Sequence, residues 1–309
     1  MSGLLALTRE RTPAAPGPGP MSGALLRALE LTIRRRVESV LPGEHRSTAL
    51  GLGSELAQIR LYVPGDDVRR IDWNVTARTG EPHVRVDVAE RALTTWLVLD
   101  VSPSMSFGTA DRRKTDVAEG VVLAIGQLAA RRSSRLGIVT WGNGEIEATP
   151  PRQGRSGLLS VLLTLRRERG QGGHCTTLAE ALGRTARIAR RGSAVFVVSD
   201  FRGQDGFEAS LAQVAARCHT ACVEVRDRRE QELVDVGDLW LVDPETGRQL
   251  RVDTSSEKLR RRFAERAAAE RASVADTIRA TGAEHLVLAT EGDWLRELAG
   301  HLRRPGGRR

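Results

Sequence analysis

The sequence predicts an α/β protein built on a doubly wound, mostly parallel sheet, with a small β-rich lobe ahead of it. Three observations carry that expectation. From residue 93 onward, nearly continuous apolar runs such as Trp96-Leu97-Val98-Leu99 and Val195-Phe196-Val197-Val198 alternate with helix-length amphipathic segments. Strands covered by helices on both faces have this pattern. Two of the runs end in an acid, at Asp100 and Asp200. Before residue 93 the rhythm is different, with short alternating segments broken by Pro64-Gly65 and Thr79-Gly80, as in a small β-structure.

Taken in order, residues 1–21 end in the Pro/Gly run Pro13-Ala14-Ala15-Pro16-Gly17-Pro18-Gly19-Pro20 and read as a disordered lead. In residues 22–44, Leu25, Leu29, Ile33 and Val37 recur every four positions, which predicts an amphipathic helix and a linker. Residues 45–92 form the β-rich lobe. Gly51-Leu52-Gly53 has no preceding strand and no third glycine, so it reads as a flexible turn rather than a dinucleotide fingerprint. Ala57 to Val63 is a short strand, and Pro64-Gly65 suits a type II turn. Asp66 or Asp67 can cap a helical turn through Arg69 to Trp73, and Val84, Val86 and Val88 mark a second strand.

The main domain spans 93–302. Strands are expected at 94–100, 135–141, 193–199, 220–225 and 284–289, with a short hairpin return near Ile146. Helices are expected at 115–131, 155–168, 178–190, 206–217 and 293–302. A polar-tipped hairpin is inserted near 237–253, with Asp243-Pro244-Glu245-Thr246-Gly247 as its turn. The pair Thr254 and Glu257 has capping-box spacing and opens a long helix. Trp73 and Trp96 are expected to pack inside, and residues 303–309 form a basic tail.

With 309 residues and 40% hydrophobic content, the chain can bury a substantial core. A net charge of +8 raises nucleic acid as a partner. The distribution argues against it, because all but Lys114 and Lys258 of the 47 basic residues are arginines, and they are scattered. Between Arg60 and Arg91 six arginines face six acids. Cys175, Cys218 and Cys222 are an odd number with no secretory leader, which favours a reducing cytoplasm. No apolar run reaches the roughly 18–20 residues that span a bilayer, so a soluble protein with no transmembrane segment is expected.

Chemistry concentrates in Asp100-Val101-Ser102-Pro103-Ser104, in the loop Gly172-Gly173-His174-Cys175-Thr176-Thr177, and at Asp200. Ligands of open α/β sheets collect beyond the carboxyl ends of strands, where Asp100 and Asp200 stand. Carboxylate and hydroxyl oxygens are the ligands that Mg2+ prefers. Thr177 and Glu180 have capping-box spacing, which occupies Thr177 and leaves Thr176 to face the site. His174 is expected at the rim, since imidazole is not a natural Mg2+ ligand. Aspartate and serine are also ordinary turn residues, so the first cluster alone is a weak signal.

Asp-x-Ser-x-Ser, a loop threonine and a strand-end aspartate resemble the metal-ion-dependent adhesion site of von Willebrand factor A domains, over roughly residues 93–226. The resemblance implies a von Willebrand factor A-like, Rossmann-like fold. It also implies Mg2+ (or Mn2+ or Ca2+) ligated directly by Ser102 and Ser104, directly or through water by Thr176, and mostly through water by Asp100 and Asp200. Phe201-Arg202-Gly203 departs from the family, where glycine commonly follows the aspartate, and Thr177 stands where an acid is common. Tyr62-Val63-Pro64-Gly65-Asp66-Asp67-Val68-Arg69-Arg70-Ile71-Asp72-Trp73 and Ala77-Arg78-Thr79-Gly80 look like the signature of the bacterial family called domain of unknown function 58. Members of that family are commonly encoded beside MoxR-type AAA+ ATPases.

The resemblance implies a non-enzymatic, metal-dependent binding module, an adaptor or co-chaperone of a MoxR-type ATPase that grips a carboxylate of the ATPase or of a client protein. Two other readings come from the residues. Acids and serines around Mg2+ can serve a hydrolase or phosphotransferase, although a dehalogenase-type second acid at Ser102 and a Walker A sequence are both missing. An arginine-driven nucleic-acid binder is the third reading, and the scarcity of aromatics weighs against it.

Overall fold

The computed structural model describes residues 6–7, 14–15, 17–20, 23–24, 26–27, 50–88, 94–131, 134–166, 176–243 and 247–303. The chain divides into two compact units, one of residues 1–37 with 93–309 and the other of residues 38–92. In chain order the first strands are β1 (Ala6–Leu7), β2 (Leu50–Leu61), β3 (His83–Val88), β4 (Thr94–Asp100), β5 (Arg135–Trp141) and β6 (Glu147–Gln153). They are followed by β7 (Ala194–Ser199), β8 (His219–Arg226), β9 (Asp238–Val242), β10 (Gln249–Asp253) and β11 (Glu284–Ala289). The helices are α1 (Trp73–Thr79), α2 (Lys114–Arg131), α3 (Gly154–Arg166), α4 (Leu178–Ile188), α5 (Glu208–Ala215), α6 (Glu257–Ala280) and α7 (Trp294–Arg303).

In the smaller unit β2 and β3 pair antiparallel, with breaks in register between Leu50 and Glu55 and between Leu56 and Gln58. Gly51-Leu52-Gly53 therefore lies within a strand, at its irregular end, and not in a turn. The turn at Pro64-Gly65 forms as expected, with the Asp66 N–H donating to the Val63 carbonyl at 3.0 Å and Gly65 at φ +109°. Asp67 caps the short 3-10 turn Val68–Arg70. Asp72 caps α1 by accepting from the Asn74 and Val75 N–H groups, and its other oxygen holds Arg85 Nε at 2.8 Å. That cap makes Asp72 the buried residue of the segment and turns Trp73 outward, 70% exposed, against the expectation of a packing role.

The larger unit carries a six-stranded sheet in the order β11-β8-β7-β4-β5-β6, all parallel except β6, which runs antiparallel to β5. Alternate residues of β4 face opposite layers. Leu97 and Leu99 join the core with Val121 and Ile125 of α2, Val161 of α3 and Leu298 of α7. Trp96 and Val98 join the core with Leu182 of α4, Leu211 of α5 and Ile278 of α6. Each fully buried aliphatic side chain contributes about 1.5–3 kcal/mol, which is why β4 needs no polar face. Helix α2 comes close to α7 at Gly120, where a Cβ would lie 2.4 Å from the Trp294 ring.

From β4 the chain moves to β5 and β6 on one side, then crosses to β7 on the other. The boundary between β4 and β7 is thus the topological switch point, where ligands of such sheets bind.

Two further local expectations need correction. Parts of the lead are bonded to the larger unit: β1 pairs with β9, the Ala15 N–H donates to the Asp111 carbonyl at 2.8 Å, and Trp294 Nε1 donates to the Pro18 carbonyl at 2.8 Å. These contacts use backbone groups, which leave no side-chain periodicity to read. Helix α6 is capped by Ser256, not by Thr254 with Glu257. Thr254 is fully buried, its hydroxyl donating to the Gly237 carbonyl and accepting from the Val236 N–H. Of the helix expected in 22–44, Gly23, Ala24, Leu26 and Arg27 are helical and Leu26 is in the core. The rest of that segment, the Gly170–Gly173 loop, His174, Cys175 and the tail beyond Arg303 lie outside the described residues.

Candidate functional site at the switch point

The apolar run of β4 ends by delivering Asp100, 3% exposed, to the switch point. One of its oxygens accepts the Ser102 N–H at 2.9 Å and the other accepts the Ser199 hydroxyl, from the end of β7, at 2.6 Å. Pro103 then opens a 3-10 turn, Pro103–Ser106, for which Ser102 is the cap residue without using its side chain. The Ser102 and Ser104 hydroxyls lie 3.0 Å apart.

The neighbouring strand β5 contributes backbone. Gly142, at φ +99°, follows its last residue, and a Cβ there would sit 2.9 Å from both Asp100 Oδ1 and Ser102. Only glycine permits this approach. The Gly142 N–H donates to Thr176 Oγ1 at 2.9 Å, which brings Thr176 to the same corner. The sequence expectation left Thr176 free to face the site, whereas its hydroxyl already accepts one backbone N–H; a hydroxyl retains a second lone pair and its own proton. Thr177 forms the expected capping box with Glu180.

Asp200, 4% exposed, is held differently. Its Oδ1 accepts the Arg202 N–H at 3.0 Å, and its Oδ2 is 2.5 Å from Nζ of Lys114, the first residue of α2. Lys114 is fully buried and also bonds Glu230 Oε1 at 2.7 Å. Glu230 sits in the 3-10 turn Arg228–Glu230 after β8, capped by Asp227. Phe201 adopts φ +54°, the left-handed conformation that favours glycine, while its ring is buried at 6.0 Å from that of Phe207. The departure after Asp200 is thus one of residue type, and the backbone keeps a glycine-like turn.

The sequence expectation identified Asp100, Ser102, Ser104, Thr176 and Asp200. It missed Lys114, Glu230, Ser199 and Gly142. One signal for Lys114 was present: it is one of two lysines, the other being the exposed Lys258, in a chain that otherwise uses arginine, and its enclosed position takes a compact ammonium.

Burial and then the negative charge of Asp200 push the Asp100 carboxyl up to about 7, against the lowering effect of the Ser102 and Ser199 donors. For Asp200, burial raises the pKa but the Lys114 ammonium outweighs it and leaves the carboxyl below its ordinary range. Lys114 is likewise raised, burial being overcome by its two carboxylates. An acid whose charge is disfavoured, set beside two hydroxyl oxygens, suits a hard divalent cation, which would relieve that charge. Asp100, Ser102 and Ser104 fit such an ion; Asp200 is already bonded to an ammonium. Among the described residues no cluster of three or more His, Cys, Asp or Glu side chains is placed to hold a metal, so a cation here depends on the hydroxyls.

A doubly wound sheet with one antiparallel edge strand and an acid-and-hydroxyl loop at its switch point defines a von Willebrand factor A-like domain. Residues 58–273 match the family described as Protein of unknown function DUF58, and the chain belongs to that family. It is 43% identical over 285 residues to the uncharacterized protein Rv1480 of Mycobacterium tuberculosis, covering 90% of this chain and 88% of the relative. The figures are the same for Mb1516 of Mycobacterium bovis. Among solved structures, a conserved hypothetical protein BatB from Bacteroides thetaiotaomicron is 13% identical with a TM-score of 0.45, covering 68% of this chain and 97% of that one. The SpRpn10 VWA domain is 11% identical with a TM-score of 0.36, covering 67% and 93%. No helix among the described residues is long and apolar enough to cross a membrane.

Proposed function

We propose that the chain is a protein-interaction module, not an enzyme, whose switch-point site holds Mg2+, or Mn2+ or Ca2+ in its place, and through it a carboxylate of a partner protein. Asp100, Ser102 and Ser104 would hold the cation directly or through water, with Thr176 and Asp200 behind them. The partner in this reading is a MoxR-type AAA+ ATPase or a client that the two proteins handle together in the cytoplasm. The observation that carries it is Asp100: a buried carboxyl, pushed up to about 7 by burial and a neighbouring acid, stands against two hydroxyls at the place where such folds bind ligands. A bound cation would offset the charge of Asp100, as the Lys114 ammonium offsets that of Asp200.

Purified protein should retain the ATPase or client in Mg2+ and lose it in chelator. Asp100→Ala should remove the Mg2+ dependence while leaving the helical circular-dichroism signal intact. Capture that is equal in Mg2+ and chelator would refute a metal-centred interface.

A further inference from the structure

We propose that Trp294, Arg112 and the backbone of residues 110–111 form a surface that recognises a Pro/Gly strand, and that residues 14–15 and 17–20 of the same chain fill it. The bound strand is a strap on the loop that joins the switch-point site to α2, whatever that site binds.

The loop runs from Phe107 to Arg113, between the 3-10 turn that carries Ser104 and Lys114, the first residue of α2. It closes on itself: the Lys114 N–H donates to the Phe107 carbonyl at 2.9 Å, and a Cβ at Gly108 would lie 2.4 Å from the Arg112 carbonyl oxygen. Two ties come from residues just after β8 and β11. Asp227 accepts from the Thr109 N–H and hydroxyl at 2.8 and 2.7 Å, and the Arg112 N–H donates to the Thr290 carbonyl at 3.2 Å. The third tie is the lead. The Ala15 N–H donates to the Asp111 carbonyl at 2.8 Å and the Ala14 N–H to the Ala110 carbonyl at 3.4 Å. The Pro18 carbonyl accepts from Trp294 Nε1 at 2.8 Å, which gives a ring that is 2% exposed the partner a buried indole N–H needs. The Arg112 guanidinium lies against Gly19, where a Cβ would meet its Nη2 at 2.8 Å.

The lead has the sequence for this shape. Gly17 and Gly19 stand at φ +88° and +74°, the left-handed region that favours glycine, and each is followed by a proline. A residue before proline is pushed toward extended backbone, so alanine at either position would lose the bend. At Gly17 that loss is one of backbone alone, since a methyl there would have nothing within 4 Å to touch. Alternating glycine and proline thus presents one carbonyl to Trp294 while the N–H groups of Ala14 and Ala15 reach the loop. Without the strap, the loop that ends at Lys114 keeps only its ties to Asp227 and Thr290.

Amide hydrogen exchange on the full chain tests the strap. In Gly17→Ala/Gly19→Ala the Arg112 and Lys114 amides should exchange at least about tenfold faster than in wild type, while the amide of Val197, in the middle of β7, is unmoved. Trp294→Phe keeps a ring but not the N–H and should speed the same two amides; should it not fold, the glycine pair, which lies outside the core, decides. A synthetic peptide of residues 12–21, in the millimolar range that a short tether supplies, should slow both amides again in the glycine variant. It should leave wild type, whose surface is filled, unchanged. Arg112 and Lys114 amides that exchange as in wild type, or an acceleration that extends equally to Val197, overturn the strap. Faster exchange that the peptide does not slow overturns recognition of the strand by Trp294 and Arg112.

Discussion

A lysine with no access to water keeps its charge only when carboxylates surround it, and Lys114 has two. Removing one side of such a buried group leaves the other side uncompensated. Lys114→Met should therefore destabilise the fold by about 3–5 kcal/mol, read from urea unfolding, while an exposed change such as Lys258→Met should be nearly silent. Glu230→Gln added to Lys114→Met should recover part of the loss, because only Asp200 then lacks its counterion. At this scale the sequence revealed the acid-and-hydroxyl cluster but not the ion pairs beside it. Asp100, Ser102 and Ser104 stand in one short motif, and residue chemistry alone selects them. Lys114 reaches Asp200 across 86 positions and Glu230 across 116, and no local spacing encodes such a pairing.

Elements were legible in proportion to how far their own sequence determines them. Strands β4, β5, β7, β8 and β11 form within one residue of the expected ends, and in all but the half-buried edge strand β11 an apolar run buried on both faces leaves little choice of register or environment. Helix α1 and the Ser256 cap were missed, since a helix of about two turns with no buried residue shows no apolar repeat and several nearby hydroxyls compete for one cap. Strand β8 carries a prediction of its own. Glu224, 3% exposed, accepts from Arg226 and lies 2.7 Å from His285 Nε2 on β11. Burial raises its pKa, but the hydrogen bonds with His285 and Arg226 outweigh that and hold the carboxyl below its ordinary value of 4.5. A depressed folded-state pKa adds stability that is present above the unfolded value and is lost as pH falls through the folded one. Chemical denaturation across acid pH should therefore show wild type exceeding Glu224→Gln near neutrality. The gap should close as pH drops below about 4.5, the ordinary glutamate range. A gap that is constant with pH would assign the effect to packing instead.

On the scale of the whole molecule, the basic composition and the buried site make opposite demands on a partner, and ionic strength separates them. The excess of +8 suggests an electrostatic surface, yet some of the arginines are paired with acids of the same chain. Arg60 pairs with Asp66, Arg85 with Asp72, Arg226 with Glu224, Arg260 with Asp235, and Arg251 with Asp238. Composition counts these charges but does not place them. Surface attraction to a polyanion fades within a screening length that shrinks from about 10 Å at 0.1 M salt to about 3 Å at 1 M. A carboxylate bound at a site as enclosed as that of Asp100 is screened far less. Capture of a protein partner should therefore survive a rise from about 0.1 to about 0.5 M NaCl and disappear on chelation, whereas nucleic-acid binding through six or more phosphates would fall by orders of magnitude over that range. Parallel pull-downs with a salt series and a chelator series give the answer. Loss of the partner with salt but not with chelator would move the interaction from the switch point to the arginine surface.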